Sequence, residues 1–194
     1  MMVEPVKFVV KPSESQTLSI DNNYPHQRIV INVHEKAECQ VRLAFTQSKK
    51  IEFVVNLLGS YAHVSIIGYY RLEDNNEVVI STTQNHLAAH TTSNVIIKGI
   101  LYDSSRADYQ GMIHISAGAK YSNAVQENKN ILLSKTAQAQ SIPSIEVLTD
   151  EVQCAHASAI GYLDRKQLWY LQSRGIDQEQ AQQLLLDAFL SNVQ

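Results

Sequence analysis

Apolar and polar residues alternate through most of the first two thirds of the chain. From Cys39 to Phe45, and again from Ile51 to Leu57, large apolar side chains occupy every second position, and only Val54 interrupts this pattern. A period of two places these side chains on one face of an extended segment. The pattern therefore predicts at least eight short strands, which include β-branched runs at 64–67, 78–80, 95–101, 112–115, 131–133 and 145–148.

Clusters of turn-forming residues separate these runs, as at 73–76 and 116–118. No helical period interrupts the strands before residue 164, so we expect an all-β architecture for this part of the chain. Small residues also recur where strands approach, although their spacing is uneven, and they include Ala37, Ala62, Ala107, Ala119 and Ala137. This repeat is too irregular to choose between a β-sandwich and a β-solenoid, and the pattern leaves both open.

The end of the chain has a helical pattern instead. Asp164 is a suitable N-cap for a helix over about 165–174, and Gly175 is a suitable residue to end it. Asp177 begins a sequence that resembles a capping box for a second helix over about 178–190. We therefore expect a β core over residues 1–163 and a helical segment over 164–194, within one compact domain.

Each predicted helix has an apolar stripe. In the second helix the residues at positions i, i+3, i+4 and i+7 are Ala181, Leu184, Leu185 and Ala188. In the first helix a less complete stripe contains Leu168, Trp169 and Leu171.

Composition restricts the class of protein. The chain has 194 residues, of which 44% are apolar and 18% charged, as in a soluble globular domain, and its net charge of −3 gives no basic surface for nucleic acid. No apolar run approaches the roughly 18 residues that cross a bilayer, and the start of the chain lacks the features of a signal peptide. Two cysteines cannot form a disulfide framework. We therefore expect a cytoplasmic protein with reduced thiols and no membrane partner.

The sequence contains none of the familiar catalytic motifs. A nucleophile elbow, a P-loop, a dinucleotide fingerprint and a paired-carboxylate motif are all missing. With seven glycines in the whole chain, no loop is suited to cradling phosphates. These observations predict a protein that is not an enzyme. If its function needs ATP hydrolysis, a partner must supply that activity.

Cys154 and His156 form the strongest candidate for a metal site. On a strand, a spacing of two places the thiol and the imidazole on the same face. Sulfur and imidazole suit iron, zinc and iron–sulfur clusters, but two ligands do not complete a site. A buried cysteine beside a hydrogen-bonded histidine is therefore the structural alternative. Cys39, on an alternating strand, is expected to be a core thiol.

His86 and His90 have the four-residue spacing of helical zinc sites, but Leu87 stands where such a motif needs glutamate. Their neighbours are strand-like, so we expect structural roles for both histidines.

Several short motifs of the last part of the chain occur in one order and at one spacing. They are Gln126-x-Asn128-x-Asn130-Ile-Leu-Leu-Ser134, Ser141-Ile-Pro143-x-Ile-Glu146, Cys154-x-His156 and Gln167-Leu-x-Tyr-Leu-x-Ser-Arg-Gly-Ile176; upstream stand His90-Thr, Lys98-Gly99-Ile-Leu-x-Asp103 and Gly111-x-Ile113. Over about residues 80–190 the chain resembles the core of the SufB/SufD family, the scaffold components of a bacterial iron–sulfur cluster assembly machine. The resemblance implies a mainly β fold, a right-handed parallel β-helix followed by a C-terminal two-helix segment.

The resemblance also implies a role for the Cys-x-His motif. SufD-like members carry this motif, and its imidazole is thought to help form the nascent cluster at the interface with SufB, so His156 becomes the first ligand candidate and Cys154 the second. Ala137 stands where the SufB branch has a cysteine, which makes the chain SufD-like. We expect no tightly bound cofactor, only transient iron or an iron–sulfur cluster shared with a partner.

The partners implied by the resemblance are a SufC-like ATPase and a SufB-like subunit or a second copy, as in a SufBCD complex. Pairing is expected through the β-helix and ATPase docking through the C-terminal helices. The docking candidates are Leu168, Trp169, Gln172, Ser173, Arg174, Leu184 and Phe189. The structural alternative is that the helices only cap the β-helix and bury Trp169, Leu184 and Phe189.

Two other functions stay open. The chain can be a structural dimerisation platform whose Cys-x-His motif only packs. It can also be a carbohydrate-active β-helix protein, although its acidic residues are scattered rather than clustered. Full family members carry an N-terminal helical region, whereas this chain starts almost directly with strands, as a natural short form or an excised core would.

Overall fold

Twelve β-strands and two helices form the described part of the chain, residues 4–193 of a computed structural model. The strands are Val6–Val10 (β1), Ser15–Asp21 (β2), Arg28–Val33 (β3), Glu38–Phe45 (β4), Lys49–Leu57 (β5), His63–Leu72 (β6), Glu77–His86 (β7), Thr92–Leu101 (β8), Arg106–Ile115 (β9), Asn123–Leu132 (β10), Gln138–Val147 (β11) and Gln153–Tyr162 (β12). The helices are Arg165–Ser173 (α1) and Gln178–Leu190 (α2). All eight predicted strand-like runs lie within β4 to β11, apart from a residue or two at the ends of 131–133 and 145–148.

The strands alternate between two parallel six-stranded sheets. The odd sheet has the order β1-β3-β5-β7-β9-β11, and the even sheet has the order β2-β4-β6-β8-β10-β12. Each strand therefore pairs with the strands two before and two after it, so that, for example, Phe53 lies between Ile29 and Thr82. Such stacking of successive coils confirms a parallel β-solenoid, and the uneven coil length explains why the sequence repeat is weak.

The space between the two sheets, which we call the lumen, changes in character along the solenoid. In the first coils it is filled by fully buried apolar side chains such as Ile31, Phe45 and Phe53. From β7 onwards, buried polar side chains take over much of it: Thr82, Gln84, His86, Ser93, Gln126, Asn128 and Asn130. Polar groups in such a place need partners, because an unpaired buried donor or acceptor is costly.

Most of these polar groups are paired with one another inside the lumen. The Tyr70 hydroxyl donates to Oδ1 of Asn130 at 2.5 Å, and Nδ2 of Asn130 donates to Oδ1 of Asn128 at 2.9 Å. A β-carbon at Gly99 would clash with both Tyr70 and Asn130, so a glycine is required where these side chains meet. The lumen is therefore a packed polar core in its C-terminal half rather than a channel.

One corner of the solenoid carries a stack of aromatic rings. Tyr61, His90 and Tyr121 occupy equivalent positions of successive coils, and their ring centroids are 4.9 and 5.0 Å apart. All three residues have left-handed backbone conformations, with φ of 63°, 58° and 59°. This conformation is unfavourable for bulky residues, so the stack must offset strain at each corner. The ring of His90 is thus held by stacking, as its expected structural role requires.

We expect His90→Ala to lower the free energy of unfolding by about 1–2 kcal/mol, because it removes two ring contacts and keeps the left-handed backbone. His90→Gly loses the same contacts but relieves the backbone strain, so it should be the more stable of the two variants, by about 1 kcal/mol. Urea unfolding of the two variants checks this order. An alanine variant that is more stable than the glycine variant would contradict it.

The two helices begin and end where the sequence predicts, to within a residue. The backbone N–H of Lys166 donates to the Asp164 carboxylate at 2.8 Å, and that of Gln180 donates to the Asp177 carboxylate at 2.9 Å. Gly175 follows α1 with a φ of 87°, a value that a glycine adopts without strain. Within residues 4–193, neither helix is long and apolar enough to cross a membrane.

The apolar face that α2 buries differs from the predicted one. Leu186 and Leu190 are buried against the outer face of the even sheet, together with Val193 and beside Ile100. Leu184 is 50% exposed and Ala188 is also exposed, so the predicted stripe is wrong at these two positions, whereas Ala181 is buried and Leu185 is partly buried. A run of three leucines fits two neighbouring helix faces equally well, and contact with the sheet decides between them.

The helices do not cap the solenoid, which corrects the structural alternative given above. The α2 helix lies along the side of the molecule, over β6, β8 and β10, and α1 has no buried residue. Trp169 is 64% exposed and Leu184 half exposed, whereas Phe189 is partly buried. Within residues 4–193, neither helix therefore covers the last coil of the solenoid, and we call this its open end.

Lys98 fixes the end of α2 to the sheet. Its Nζ donates to the Phe189 carbonyl at 2.5 Å and to Oδ1 of Asn192 at 2.6 Å. A cation at the C-terminus of a helix is favourable, because the last carbonyls are unpaired and carry partial negative charge. Arg71 adds a second link, donating to Oε1 of Gln183 at 3.1 Å.

Candidate functional site at the open end

The open end of the solenoid consists of β11 and β12, the last strands of the two sheets. In the described residues neither strand has a neighbour on its outer side. Their lumen-facing residues are largely uncovered and include Ile145, Val147, Ile160 and Tyr162. This end of the molecule therefore presents two ten-residue strand edges and an apolar rim around the lumen.

The backbone groups of alternate residues point to the open edge. The Gln153 N–H donates to the Ser122 carbonyl, so the backbone groups of the odd residues of β12 pair with β10. The backbone groups of the even residues, including Cys154 and His156, point to the open edge. In β11 the odd residues face outwards, because Gln138 N–H donates to the Ser105 carbonyl. They include Pro143, which has no N–H and is tolerated in a strand at such an edge.

Cys154 and His156 lie on the same face of β12, as predicted. In the pairing of β12 with β10, Cys154 lies beside Ala124 and His156 beside Gln126. Since Ala124 and Gln126 are buried in the lumen, Cys154 and His156 also face the lumen, at its mouth. The thiol is half-buried, whereas the imidazole is exposed. The two candidate ligands are thus brought together where another molecule can reach them.

The thiol of Cys154 is not activated in the isolated chain. Its partial burial raises its pKa, so that the thiol is protonated at neutral pH. A nearby cation or a bound metal ion would have to lower this pKa before the sulfur could serve as a thiolate ligand. Cys39 is fully buried, which confirms a core thiol, and burial raises its pKa to about 11.

No group of three or more histidine, cysteine or acidic side chains suited to a metal ion occurs among residues 4–193. Cys154 and His156 therefore offer two donors, and any further ligand has to come from elsewhere. Iron–sulfur clusters and zinc sites usually have four protein ligands, of which cysteine and histidine are the commonest. Cys154 and His156 are therefore better suited to be two ligands of a site shared with another molecule than to form a complete site.

The other candidate histidines have structural surroundings. His86 is buried on β7, where Nδ1 lies 2.8 Å from the Thr91 hydroxyl and Nε2 lies 2.7 Å from the Ser93 hydroxyl. His90 belongs to the aromatic stack at the corner. The structure thus separates these two residues from Cys154 and His156.

Two features of this region were not predicted from the sequence. The strand β12 was not among the predicted runs, because alanines, serine and polar residues give it no apolar alternation. Gln126 was noted only as part of a motif, although it lies directly beneath His156. The period-two register of β10, in which Ala124, Gln126 and Asn128 all point inwards, is the signal that could have revealed it.

The residues predicted for ATPase docking lie in α1, in the turn after it and in α2, and they differ in exposure. Trp169, Ser173 and Arg174 are exposed, and Leu168 and Gln172 are half-buried. Tyr170, which the sequence analysis did not include, is exposed as well, with the Arg174 guanidinium 5.3 Å from the centre of its ring. Phe189 differs from the others because it packs on the even sheet beside Lys98.

Comparison with known proteins agrees with these features. The chain is 28% identical to the iron–sulfur cluster assembly protein SufD of Escherichia coli (strain K12), over 91% of this chain and 49% of that protein. It is 34% identical to an iron–sulfur cluster assembly SufBD family protein of Mycobacterium leprae (strain TN), over 72% of this chain and 38% of that protein. It is 33% identical to SufD of Bacillus subtilis (strain 168), over 56% of this chain and 25% of that protein.

The chain spans half or less of the length of each of these three relatives. A family model for the SufBD core domain of the SUF system for iron–sulfur cluster assembly matches residues 21–189. This match includes most of the solenoid, the Cys-x-His strand and both helices. The chain therefore belongs to the SufBD core family of iron–sulfur cluster assembly proteins.

Proposed function

We propose that this chain is a SufD-like, non-catalytic component of an iron–sulfur cluster assembly scaffold. It pairs through the open end of its solenoid, presents His156 and Cys154 to transient iron or a nascent cluster, and docks an ATPase through its C-terminal helices. One observation carries the proposal: the strand that bears both candidate ligands is the edge strand of an open sheet. A cytoplasmic location, expected from the sequence, is part of the same proposal.

Pairing at the open end follows from the chemistry of an exposed strand edge. A row of unpaired N–H and C=O groups is a template for a strand of another chain. The rim residues Ile145, Ile160 and Tyr162 add apolar area that such a partner would cover. We take the partner to be a SufB-like subunit, because this chain has Ala137 where the SufB branch has a cysteine. A second copy of this chain is the alternative outcome of the test.

A paired strand would also complete the ligand set. Neighbouring strands lie about 4.8 Å apart, so a strand added to β12 would run beside Cys154 and His156. Residues of that strand could supply the donors that this chain lacks, and a positive or metallic centre there would favour the thiolate of Cys154. Iron or the cluster would then be shared between the two chains, as expected for a scaffold that hands its product on.

The helix pair is suited to docking because one face is fixed and another is free. Leu186, Leu190 and Lys98 hold α2 on the sheet, while Trp169 and Leu184 remain exposed. Tryptophan and arginine are frequent among the residues that dominate protein interfaces. The surface around Trp169, Arg174 and Leu184 is therefore the docking surface that we propose for a SufC-like ATPase.

Docking is tested by co-expressing the chain with SufC-like and SufB-like proteins and purifying through a tag on this chain. Compared with the wild type, the double variant Trp169→Ala, Leu184→Ala should retain about one tenth of the ATPase or less. It should retain the same amount of SufB-like partner. The matched control is Leu87→Ala, an exposed leucine at a corner of the solenoid. Surface variants are preferable to removing residues 164–194, which would uncover the buried Ile100. Equal ATPase retention in both variants would refute docking through the helices.

The ligand role is tested with the double variant Cys154→Ala, His156→Ala in the same complex. We expect the complex to assemble and cluster maturation to be lost, whereas His114→Ala, a histidine on the outer face of the odd sheet, should mature clusters normally. If maturation persists in the double variant, the Cys-x-His motif only packs, and the chain is a structural pairing platform. A solenoid that recruits a second copy but no SufB-like protein would make the chain a homodimer.

A further inference from the structure

Gln126 is a buried side chain whose hydrogen-bonding capacity is not used up. Among the described residues, four buried side-chain atoms lack a hydrogen-bond partner: Arg71 Nε, Gln84 Oε1, Gln126 Nε2 and Ser141 Oγ. Three of these four belong to lumen-facing residues of the C-terminal coils. Unpaired buried polar groups are rare and costly, so a cluster of them indicates a role beyond packing.

The position of Gln126 relates it to the candidate site. On the paired strands β10 and β12, Gln126 lies beside His156, and both side chains point into the lumen. Gln126 is only 1% exposed, whereas His156 is exposed at the mouth. The side chain of Gln126 therefore lies one strand further into the lumen than the side chain of His156.

The side chain of Gln126 is also held in place. Its Oε1 accepts a hydrogen bond from Nε2 of Gln84 at 3.3 Å. Its amide group packs so closely on the backbone of Gly111 that a β-carbon there would clash with it. Because both contacts restrict the side chain, its unused Nε2 has a defined location near Gly111, one layer further into the lumen than His156.

We propose that Gln126 is the positioning residue of His156: its Nε2, which has no partner in this structure, bonds one ring nitrogen when the exposed imidazole turns towards it, so that the other ring nitrogen faces the mouth of the lumen. This proposal rests on the proposed ligand role of His156. Histidines that bind metals usually have the second ring nitrogen held by such a hydrogen bond, which fixes the tautomer and the ring orientation.

The Gln84–Gln126 pair can serve either tautomer of His156. With the amides as described, Gln126 offers an N–H to an unprotonated ring nitrogen. If both amides turn by 180°, the bond between them is kept with donor and acceptor exchanged, and Gln126 offers its carbonyl oxygen instead. A carbonyl acceptor is what the N–H of a metal-bound imidazole needs. The pair can therefore follow the change of His156 from free to bound.

The test measures the ring nitrogens of His156 directly, in the full chain without metal. Long-range ¹H–¹⁵N spectra at pH 8.5, where free imidazole is neutral, report the tautomer ratio, and the His156→Gln variant assigns the signals. We expect one dominant tautomer in the wild type and a shift of about fivefold towards the ratio of free imidazole in Gln126→Met, which keeps the length of the side chain. The control is Thr82→Val, which removes a 2.8 Å hydrogen bond to Tyr109 elsewhere in the lumen.

A tautomer ratio in the wild type equal to that of free imidazole would overturn the proposal, as would equal ratios in the wild type and in Gln126→Met. A second measurement needs no variant: a nuclear Overhauser contact between the Gln126 amide protons and the His156 ring is expected in the wild type, and its lack contradicts the bond. Since no metal is present, these results are independent of cluster maturation. A failed ligand role and a failed positioning role can therefore be distinguished.

Discussion

Leu186→Ala is expected to lower the free energy of unfolding by about 2–5 kcal/mol, the usual cost of removing a fully buried leucine side chain. Leu184→Ala, two residues earlier in the same helix, should change it by less than about 0.5 kcal/mol. The two leucines have the same chemistry and the same helical neighbourhood, but Leu186 is 1% exposed and Leu184 is 50% exposed. The pair therefore tests which face of α2 lies on the sheet.

Urea unfolding of both variants measures these changes, and hydrogen exchange of the α2 amides shows whether the loss is local to the helix. The docking proposal adds a separate expectation: Leu184→Ala should retain less ATPase in a chain of normal stability, because Leu184 is part of the proposed docking surface. Equal losses of stability in the two variants would mean that α2 is rotated from the position described. The predicted stripe over 181, 184, 185 and 188 would then regain support.

Acid should destabilise the fold through His86, by as much as about 3 kcal/mol. Burial lowers the pKa of this imidazole from 6.5 to about 4, and its two nitrogens already lie at hydrogen-bonding distance from the Thr91 and Ser93 hydroxyls. In the unfolded chain the ring regains its usual pKa. Between pH 6.5 and about 4 the unfolded state therefore binds more protons than the folded state.

The sign follows from this difference in proton binding. The contribution of His86 to stability is fully present above pH 6.5 and is lost as the pH falls towards 4. Carboxylates also titrate in this range, so the informative quantity is the difference between the wild type and His86→Gln, which has no titrating group at this position. The free energy of unfolding of the variant should fall less steeply between pH 7 and 4.5. Parallel curves for the two proteins would show that His86 does not remain neutral in the fold.

Strands β4 and β5 could be predicted over nearly their whole length because their lumen-facing residues are apolar. Cys39, Val41 and Leu43 point inwards on β4, and Ile51, Phe53 and Val55 point inwards on β5, so a period of two is visible in the sequence. In β7 the prediction covered only residues 78–80, although the strand runs to His86. Its later inward residues, Thr82 and Gln84, are polar and pair with Tyr109 of the neighbouring strand and with Gln126 of the opposite sheet, and an apolar pattern does not show such pairs.

The candidate site could also be predicted only in part, because only some of its features follow from the spacing of residues along the chain. The spacing of Cys154 and His156 places them on one face of any strand, and the structure confirms this placement. That β12 is a strand at all is decided by β10, which offers it a complete ladder of backbone partners. That β12 is also an edge strand depends on the helices lying along the side of the solenoid rather than over its end. Neither the strand structure of β12 nor its position at the edge is visible in the residues near it in the sequence.

Two features follow from neighbouring residues alone: the alternation of the strands, and the helix ends at Asp164, Gly175 and Asp177. They are local because the direction of a side chain and the unpaired groups at a helix end depend only on nearby residues. Contacts across the fold set which leucine of 184–186 is buried, that neither helix covers the last coil, and that Gln126 lies beside His156. These outcomes depend on contacts between residues about thirty or more positions apart along the chain, whose free energies no short pattern contains.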